Sequence, residues 1–232
     1  MATIAQWDIN NECNLNCKHC RVSEKNDNEK LSLNEAKNLL AQCWYNGITM
    51  LNLSGGEPFL RKDIFDILDY AGKFEDIVIT TNGTLLTEKK CKKLSTYNNI
   101  KLSISLDGLE KTHDKFRRKQ GAFKKVIDTL PLLNKYNIKY AIKYTLSKET
   151  SKDAIELLNF IAKMGAKEFN VRRVIVAGNA SKDMVLSNEE YKNIIRELIQ
   201  NCRKLDVKFR TGDPLLIPIF SEVWGIDIKN DD

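Results

Sequence analysis

Stretches in which apolar and polar residues alternate run along this chain, separated by stretches with apolar residues three and four positions apart. The first spacing is the two-residue period of a half-buried strand, the second the 3.6-residue period of a helix with one buried face. On this reading strands fall at residues 4–9, 48–53, 76–81, 101–106, 139–146, 168–176 and 207–210. Leu31-Ser32-Leu33-Asn34-Glu35 carries a capping box, and Ala36, Leu39, Leu40, Cys43 and Trp44 follow as one apolar stripe that Gly47 ends. The pattern recurs where Ser187 and Glu190 precede a stripe of Tyr191, Ile194, Ile195, Leu198, Ile199 and Cys202. Ser151 is placed to cap a further helix that buries Ala154, Leu157, Leu158 and Ile161.

Strand and helix in alternation imply right-handed crossovers and a parallel sheet. Six or so such units are too few for a closed eight-stranded barrel, which leaves an open doubly wound sheet or a partial barrel. Parallel strands covered by helices on both faces read as continuous apolar runs. Here several alternate instead: Gln6, Asp8 and Asn10 against Trp7 and Ile9; Asn52 and Ser54 against Leu51 and Leu53. Ser103 and Ser105 against Leu102, Ile104 and Leu106 continue this, as do Lys143 and Thr145 against Ile142 and Tyr144. One sheet face is therefore apolar, while the other carries a polar row suited to a wet, ligand-filled interior. Arg172 and Asn170 are candidates for the same face, and Arg173 is an equal one. The expected fold is α/β, a partial (βα)6 TIM-like barrel with parallel strands.

Composition narrows the class. The chain has 232 residues, 42% hydrophobic and 29% charged, within the range of a globular domain. No run of eighteen apolar residues and no signal-like N-terminus is present, so no membrane partner is expected and a cytoplasmic setting is. The net charge of +6 comes from scattered lysines, which read as solvated helix surface and not as a nucleic-acid site; an acidic substrate or peptide is compatible with it. Six cysteines in a reducing compartment, three of them clustered, point to metal binding or catalysis before disulfides.

The cluster is Cys13-Asn14-Leu15-Asn16-Cys17-Lys18-His19-Cys20, in the loop leaving the first strand at the sheet edge where βα folds bind ligands. Three thiolates can hold three irons of a [4Fe–4S] cluster and leave the fourth open. A Cys3His zinc site using His19 satisfies the spacing too, although adjacent ligands His19 and Cys20 would strain a tetrahedron. Ser54-Gly55-Gly56-Glu57-Pro58 follows the second strand, with two glycines that let backbone approach a ligand and a carboxylate that can accept from an ammonium. Thr80-Thr81-Asn82-Gly83 ends the third strand and Ser103-Ile104-Ser105-Leu106-Asp107-Gly108 the fourth, and each also reads as plain turn chemistry. Cys43, Cys91 and Cys202 read as core, His113 as a surface helix residue and Arg117-Arg118-Lys119 as a solvated run.

Together these motifs resemble the radical S-adenosylmethionine (SAM) superfamily, from about residue 4 to residue 176 and more loosely to 210. The resemblance implies a partial barrel over residues 1–211, a [4Fe–4S] cluster on Cys13, Cys17 and Cys20, and SAM chelating the open iron. It implies that Glu57 and the Gly55-Gly56 backbone hold the SAM amino group, and Ser103 or Ser105 the ribose. The third-strand end at Asn82 joins the cofactor site, the backbone near Val174 and Val176 takes the adenine, and Lys143 and Arg172 take the SAM carboxylate or the substrate. His19 departs from the aromatic residue that often precedes the third cysteine. The wording of these motifs is most similar to the branch with a C-terminal auxiliary-cluster (SPASM-type) domain, which contains peptide maturases and haem-pathway enzymes. No cysteine follows Cys202, so residues 212–232 are expected to be a tail or the start of a missing domain. The expected activity is radical chemistry on a peptide or protein side chain, with a haem or other small-molecule precursor second. The expected partner is an electron donor such as flavodoxin or ferredoxin. A non-catalytic zinc module is the rival from another class.

Overall fold

The computed structural model describes residues 3–22, 30–213, 216 and 219. Seven strands form one sheet: β1 (Ile4–Asp8), β2 (Met50–Ser54), β3 (Asp76–Thr81), β4 (Ile100–Ser105), β5 (Lys139–Leu146), β6 (Glu168–Arg173) and β7 (Lys208–Thr211). Every neighbouring pair is parallel and the spatial order is the chain order, as right-handed βα units stepping one strand at a time produce. The helices between them are α1 (Leu33–Tyr45), α2 (Ile64–Tyr70), α3 (Glu88–Leu94), α4 (Glu110–Arg117), α5 (Ala122–Lys135), α6 (Ala154–Lys163) and α7 (Asn188–Lys204).

Register turns the alternation of each strand into two continuous rows. Leu53, Ile79, Leu102 and Tyr140 are successive partners, as are Ile104, Ile142 and Phe169, and all belong to the buried core. The other parity aligns Gln6 with Asn52, Thr80 with Ser103, Ser105 with Lys143 and Thr145 with Arg172. One face thus packs on helices and the other is the polar interior of a partial barrel, as the alternation requires. Near the N-terminal end of the strands Lys101 Nζ lies 2.6 Å from Glu168 Oε2, an ion pair between β4 and β6.

Both expected capping boxes form, Ser32 with Glu35 and Ser187 with Glu190. Three expectations need correction, and two helices went unread. Strand β6 stops at Arg173, short of residue 176, because the chain leaves the sheet for the positive-φ turn at Gly178. Ser151 begins a 3-10 turn, and α6 starts from Asp153 without a side-chain cap bond. Trp44 is 43% exposed and lies beneath Lys73 Nζ instead of in the core. Helices α2 and α5 have no counterpart in the reading above; the second carries Pro131 inside it. Of residues 212–232, only Gly212, Asp213, Leu216 and Ile219 are among the described residues.

Candidate functional site

The loop after β1 is laid across the mouth of the barrel by backbone bonds. Gly56 N–H donates to Asn10 O and Glu57 N–H to Glu12 O, both at 2.7 Å, and Lys18 N–H donates to Phe116 O at 2.9 Å. A Cβ on Gly56 would sit 1.9 Å from Glu12 O, and one on Gly55 2.3 Å from Asn10 O, so this approach requires the two glycines. After β6, Asn179 holds the loop from the other side, its N–H on Cys20 O at 2.9 Å and its Nδ2 on Cys17 O at 3.1 Å.

Beneath this loop lies a cavity of about 290 Å³. Cys13, Cys17 and Cys20 all line it, with Gly55, Gly56, Asn82, Ser105, Lys143 and Arg172. Nine of the expected site residues are therefore brought to one place from six strand ends. Ser103 is buried one inward position deeper than Ser105 and is not on the wall. Val176 is 47% exposed and stands away from the cavity; Val174 and Ile175 line it instead, since the strand ends earlier than expected.

Glu57 is the main correction to the expected roles. It is wholly buried behind the wall, and both of its oxygens are engaged: Oε1 accepts from Thr81 Oγ1 at 2.7 Å and Phe59 N–H at 3.1 Å, and Oε2 from Asn82 N–H at 2.7 Å. Burial pushes its carboxyl up despite these donors. The carboxylate ties the second strand end to the third and is not presented to a ligand. Asn82 is positioned by it and directs Nδ2 to Asn14 Oδ1 at 2.9 Å, with Cys13 Sγ 3.9 Å away.

Opposite stands a charged set. Asp107 is wholly buried; Thr145 N–H donates to its Oδ1 at 2.7 Å and Arg117 Nε to its Oδ2 at 2.6 Å. Burial pushes its carboxyl up, but the Arg117 guanidinium, His19, His113 and the Thr145 N–H donor together hold it below the usual range. Arg117, expected in solvent, is 7% exposed and lines the cavity. His113, expected on the surface, is buried with Nδ1 accepting from Asp107 N–H at 3.0 Å, and burial drives its pKa down to about 4. His19 stacks on Phe116 with ring centroids 4.4 Å apart and 9° between planes, and burial together with Arg117 lowers it to about 4 as well. Lys143 is lowered to about 8 by burial and by the guanidinium groups of Arg172, Arg117 and Arg21.

Sequence reasoning missed Asp107, Arg117 and Asn179 as site residues. The available signals were Asp-Gly at a strand end ten residues before an arginine, and Gly178-Asn179 where an αL turn was needed.

A family model of the Radical SAM superfamily matches residues 7–161, two thirds of the chain. The chain belongs to the radical SAM superfamily. This is a superfamily of enzymes that use a [4Fe–4S] cluster and SAM. An AdoMet-dependent heme synthase of Methanosarcina barkeri is 33% identical over 82% of this chain and 55% of the synthase. SuiB of Streptococcus suis, solved with precursor peptide SuiA, superposes with a TM-score of 0.81 over 98% of this radical SAM chain and 53% of SuiB, at 19% identity. SuiB solved with S-adenosylmethionine gives 0.78 at 18%, over 98% and 53%. The chain spans about half the length of the curated relatives it matches. Among the described residues, no helix is long and apolar enough to cross a membrane.

Proposed function

We propose that this radical SAM protein holds a [4Fe–4S] cluster on Cys13, Cys17 and Cys20, cleaves SAM reductively, and abstracts hydrogen from an acidic peptide or protein side chain. The observation that carries the cluster is the three thiols, on one loop and in no disulfide, lining one cavity. Among the described residues no three Cys, His, Asp or Glu side chains converge as they would on a single ion. His19 and Cys20 are adjacent in the chain and would strain a tetrahedron as joint ligands, so the set suits a cluster better than a tetrahedral zinc. Bound there, cluster and SAM supply one-electron cleavage to a 5′-deoxyadenosyl radical that can take hydrogen from an unactivated C–H bond.

The chain's own residues bind, orient and exclude water. The Gly55-Gly56 backbone, free of side chains, receives the SAM amino group; Glu57 acts from behind by fixing Asn82. Ser105 would hold the ribose and the Val174 backbone the adenine; both residues line the cavity, which supports this reading. Cys91 and Cys202 are buried away from the cavity, as core. The barrel runs through β7, in keeping with a unit over residues 1–211.

The cavity wall also names the substrate chemistry. Among the described residues its charged side chains are Arg21, Arg117, Lys143, Arg172 and Arg173, with no Asp or Glu. Arg117 pairs with Asp107 and Arg173 with Asp213, which among the described residues leaves Arg21, Lys143 and Arg172 to meet anions. SAM brings one carboxylate, so the surplus favours a substrate with carboxylates of its own. An acidic peptide meets this, and the peptide-bound relative of the same fold supports it. A haem precursor with propionates is the second reading, favoured by the synthase at 33% identity. A low-potential donor such as flavodoxin or ferredoxin completes the cycle, in a cytoplasmic setting that suits six cysteines in no disulfide.

The test is anaerobic reconstitution with iron and sulfide, then SAM and dithionite, with 5′-deoxyadenosine quantified. Production abolished by Cys17→Ala is the expected result. Zinc in place of iron in the purified protein, or a full cluster bound without the three cysteines, would sink the proposal.

A further inference from the structure

Arg117 is the last residue of α4, and its neighbour Arg118 takes the left-handed conformation that ends the helix. The guanidinium is buried and its orientation is fixed. Nε and Nη2 both engage Asp107 Oδ2, whose carboxylate is itself anchored by Thr145 N–H at 2.7 Å. This fork leaves Nη1 facing away from the carboxylate, 3.7 Å from Cys17 Sγ, within reach of a hydrogen bond to sulfur. Cys17 is the most buried of the three clustered thiols. At the other two thiols, Cys13 Sγ accepts from Leu15 N–H at 3.4 Å and from Asn82 Nδ2 at 3.9 Å, and Cys20 Sγ meets Val22 O at 3.3 Å.

We propose that Arg117 raises the reduction potential of the cluster by donating through Nη1 to the Cys17 thiolate, with Asp107 as the group that aims it. The inference rests on the cluster assignment above. One-electron reduction adds negative charge that spreads over the cluster and its ligand sulfurs, and a donor to one of those sulfurs stabilises the reduced form more than the oxidised one. Burial strengthens the effect because little water competes. The Arg117–Asp107 pair carries no net charge, so its distant field largely cancels. What survives is the near end, a positive N–H group against sulfur with the balancing carboxylate on the far side. Arg117 is on this account a positioning residue. It makes and breaks no bond; the electron comes from dithionite in the test below.

The measurement is the cluster midpoint potential, followed by EPR during dithionite titration of the reconstituted full chain without SAM. Replacing the pair by neutral residues, Arg117→Met with Asp107→Asn, is expected to lower the reduction equilibrium about tenfold, which is 59 mV for a one-electron couple. Asp107→Asn alone is expected to shift it in the opposite sense, since the guanidinium charge is then unbalanced. Arg117→Lys, which keeps charge but loses the fork, is expected to fall between wild type and the double variant. Iron content of each variant shows that the cluster is loaded; if the double variant does not load, the two single variants decide by their opposite signs. Equal midpoints across the loaded variants would overturn the inference and leave the cluster assignment standing. Unchanged midpoints with weakened SAM binding would also overturn it, giving Arg117 to the SAM carboxylate. A wild-type chain that takes up no cluster would sink the assignment and this inference with it.

Discussion

On the β1–β3 side of the cavity the contacts are neutral donors closing on one carboxylate: Glu57 accepts from Thr81, Asn82 and Phe59, and the two glycines press against Asn10 and Glu12. On the β4–β6 side the groups are cationic, with Arg117 paired to Asp107 while Lys143 and Arg172 face the interior together. On the first side both Glu57 oxygens are engaged before any ligand arrives, and its residues act on the shape of the rim. Among the described residues the second side holds more positive charge than its own carboxylates answer, and its residues act on what enters. A mutation on one side should therefore read out as stability, on the other as charge-dependent binding.

The largest expected effect breaks the first side. Gly56→Ala drives a Cβ to 1.9 Å from a backbone oxygen that has no room to yield, and should cost about 3 kcal/mol or more with loss of the loop above it, measured by urea unfolding. Next is Glu57→Gln, which keeps the shape but sets an amide N–H₂ against the donors Asn82 N–H or Thr81 Oγ1. A loss of about 1–3 kcal/mol is expected by the same measurement. If SAM affinity falls with no change in stability, Glu57 belongs to the ligand and the comparison fails.

Lys143 sharpens the second side. The folded chain holds its amine neutral down to about pH 8, whereas the ordinary lysine value is 10.5. Unfolding therefore takes up a proton between those values, so this residue's contribution makes stability rise with pH through that window. Lys143→Met should flatten that rise and stabilise the ligand-free protein at pH 7 by about 1 kcal/mol, allowing for partial solvation of the ammonium. A flat wild-type profile from pH 8 to 10 would refute the crowding of cations around Lys143. The smallest effect is expected at Asn179→Ala, which removes Nδ2 from Cys17 O but keeps the backbone bond to Cys20 O. About 1 kcal/mol of local opening, visible as faster amide exchange in the loop of residues 13–20 and little global change, is the expected outcome.

The barrel was legible because its determinants are local. Alternation in Asn52 and Ser54 or Lys143 and Thr145 is set by the two-residue repeat, and parallel register then had to stack like on like. The cysteine loop and the strand-end turns were legible for the same reason, as contiguous residues at one sheet edge. Glu57 was misplaced because a carboxylate beside two glycines looks free until the third strand supplies Thr81 and Asn82. Arg117 and His113 were hidden in a segment whose neighbours Lys111, Lys115 and Arg118 are charged; their burial comes from Asp107, a partner set by tertiary packing. Helix α5 escaped because Pro131 reads as a break, yet its helix carries Val126, Leu130 and Leu133 into the core.

The clamp on the thiol loop has a consequence for how the protein is made. Cys17 and the Asn179 side chain that holds its carbonyl are 162 residues apart. At a ribosomal rate of about 5–20 residues per second, that partner follows on the order of 10–30 s later. Until then the nascent loop lacks its far-side anchor, and its three cysteines leave the exit tunnel well before the strand end that closes over them. Any machinery that loads this loop, or any oxidant that attacks it, has that interval in which to act.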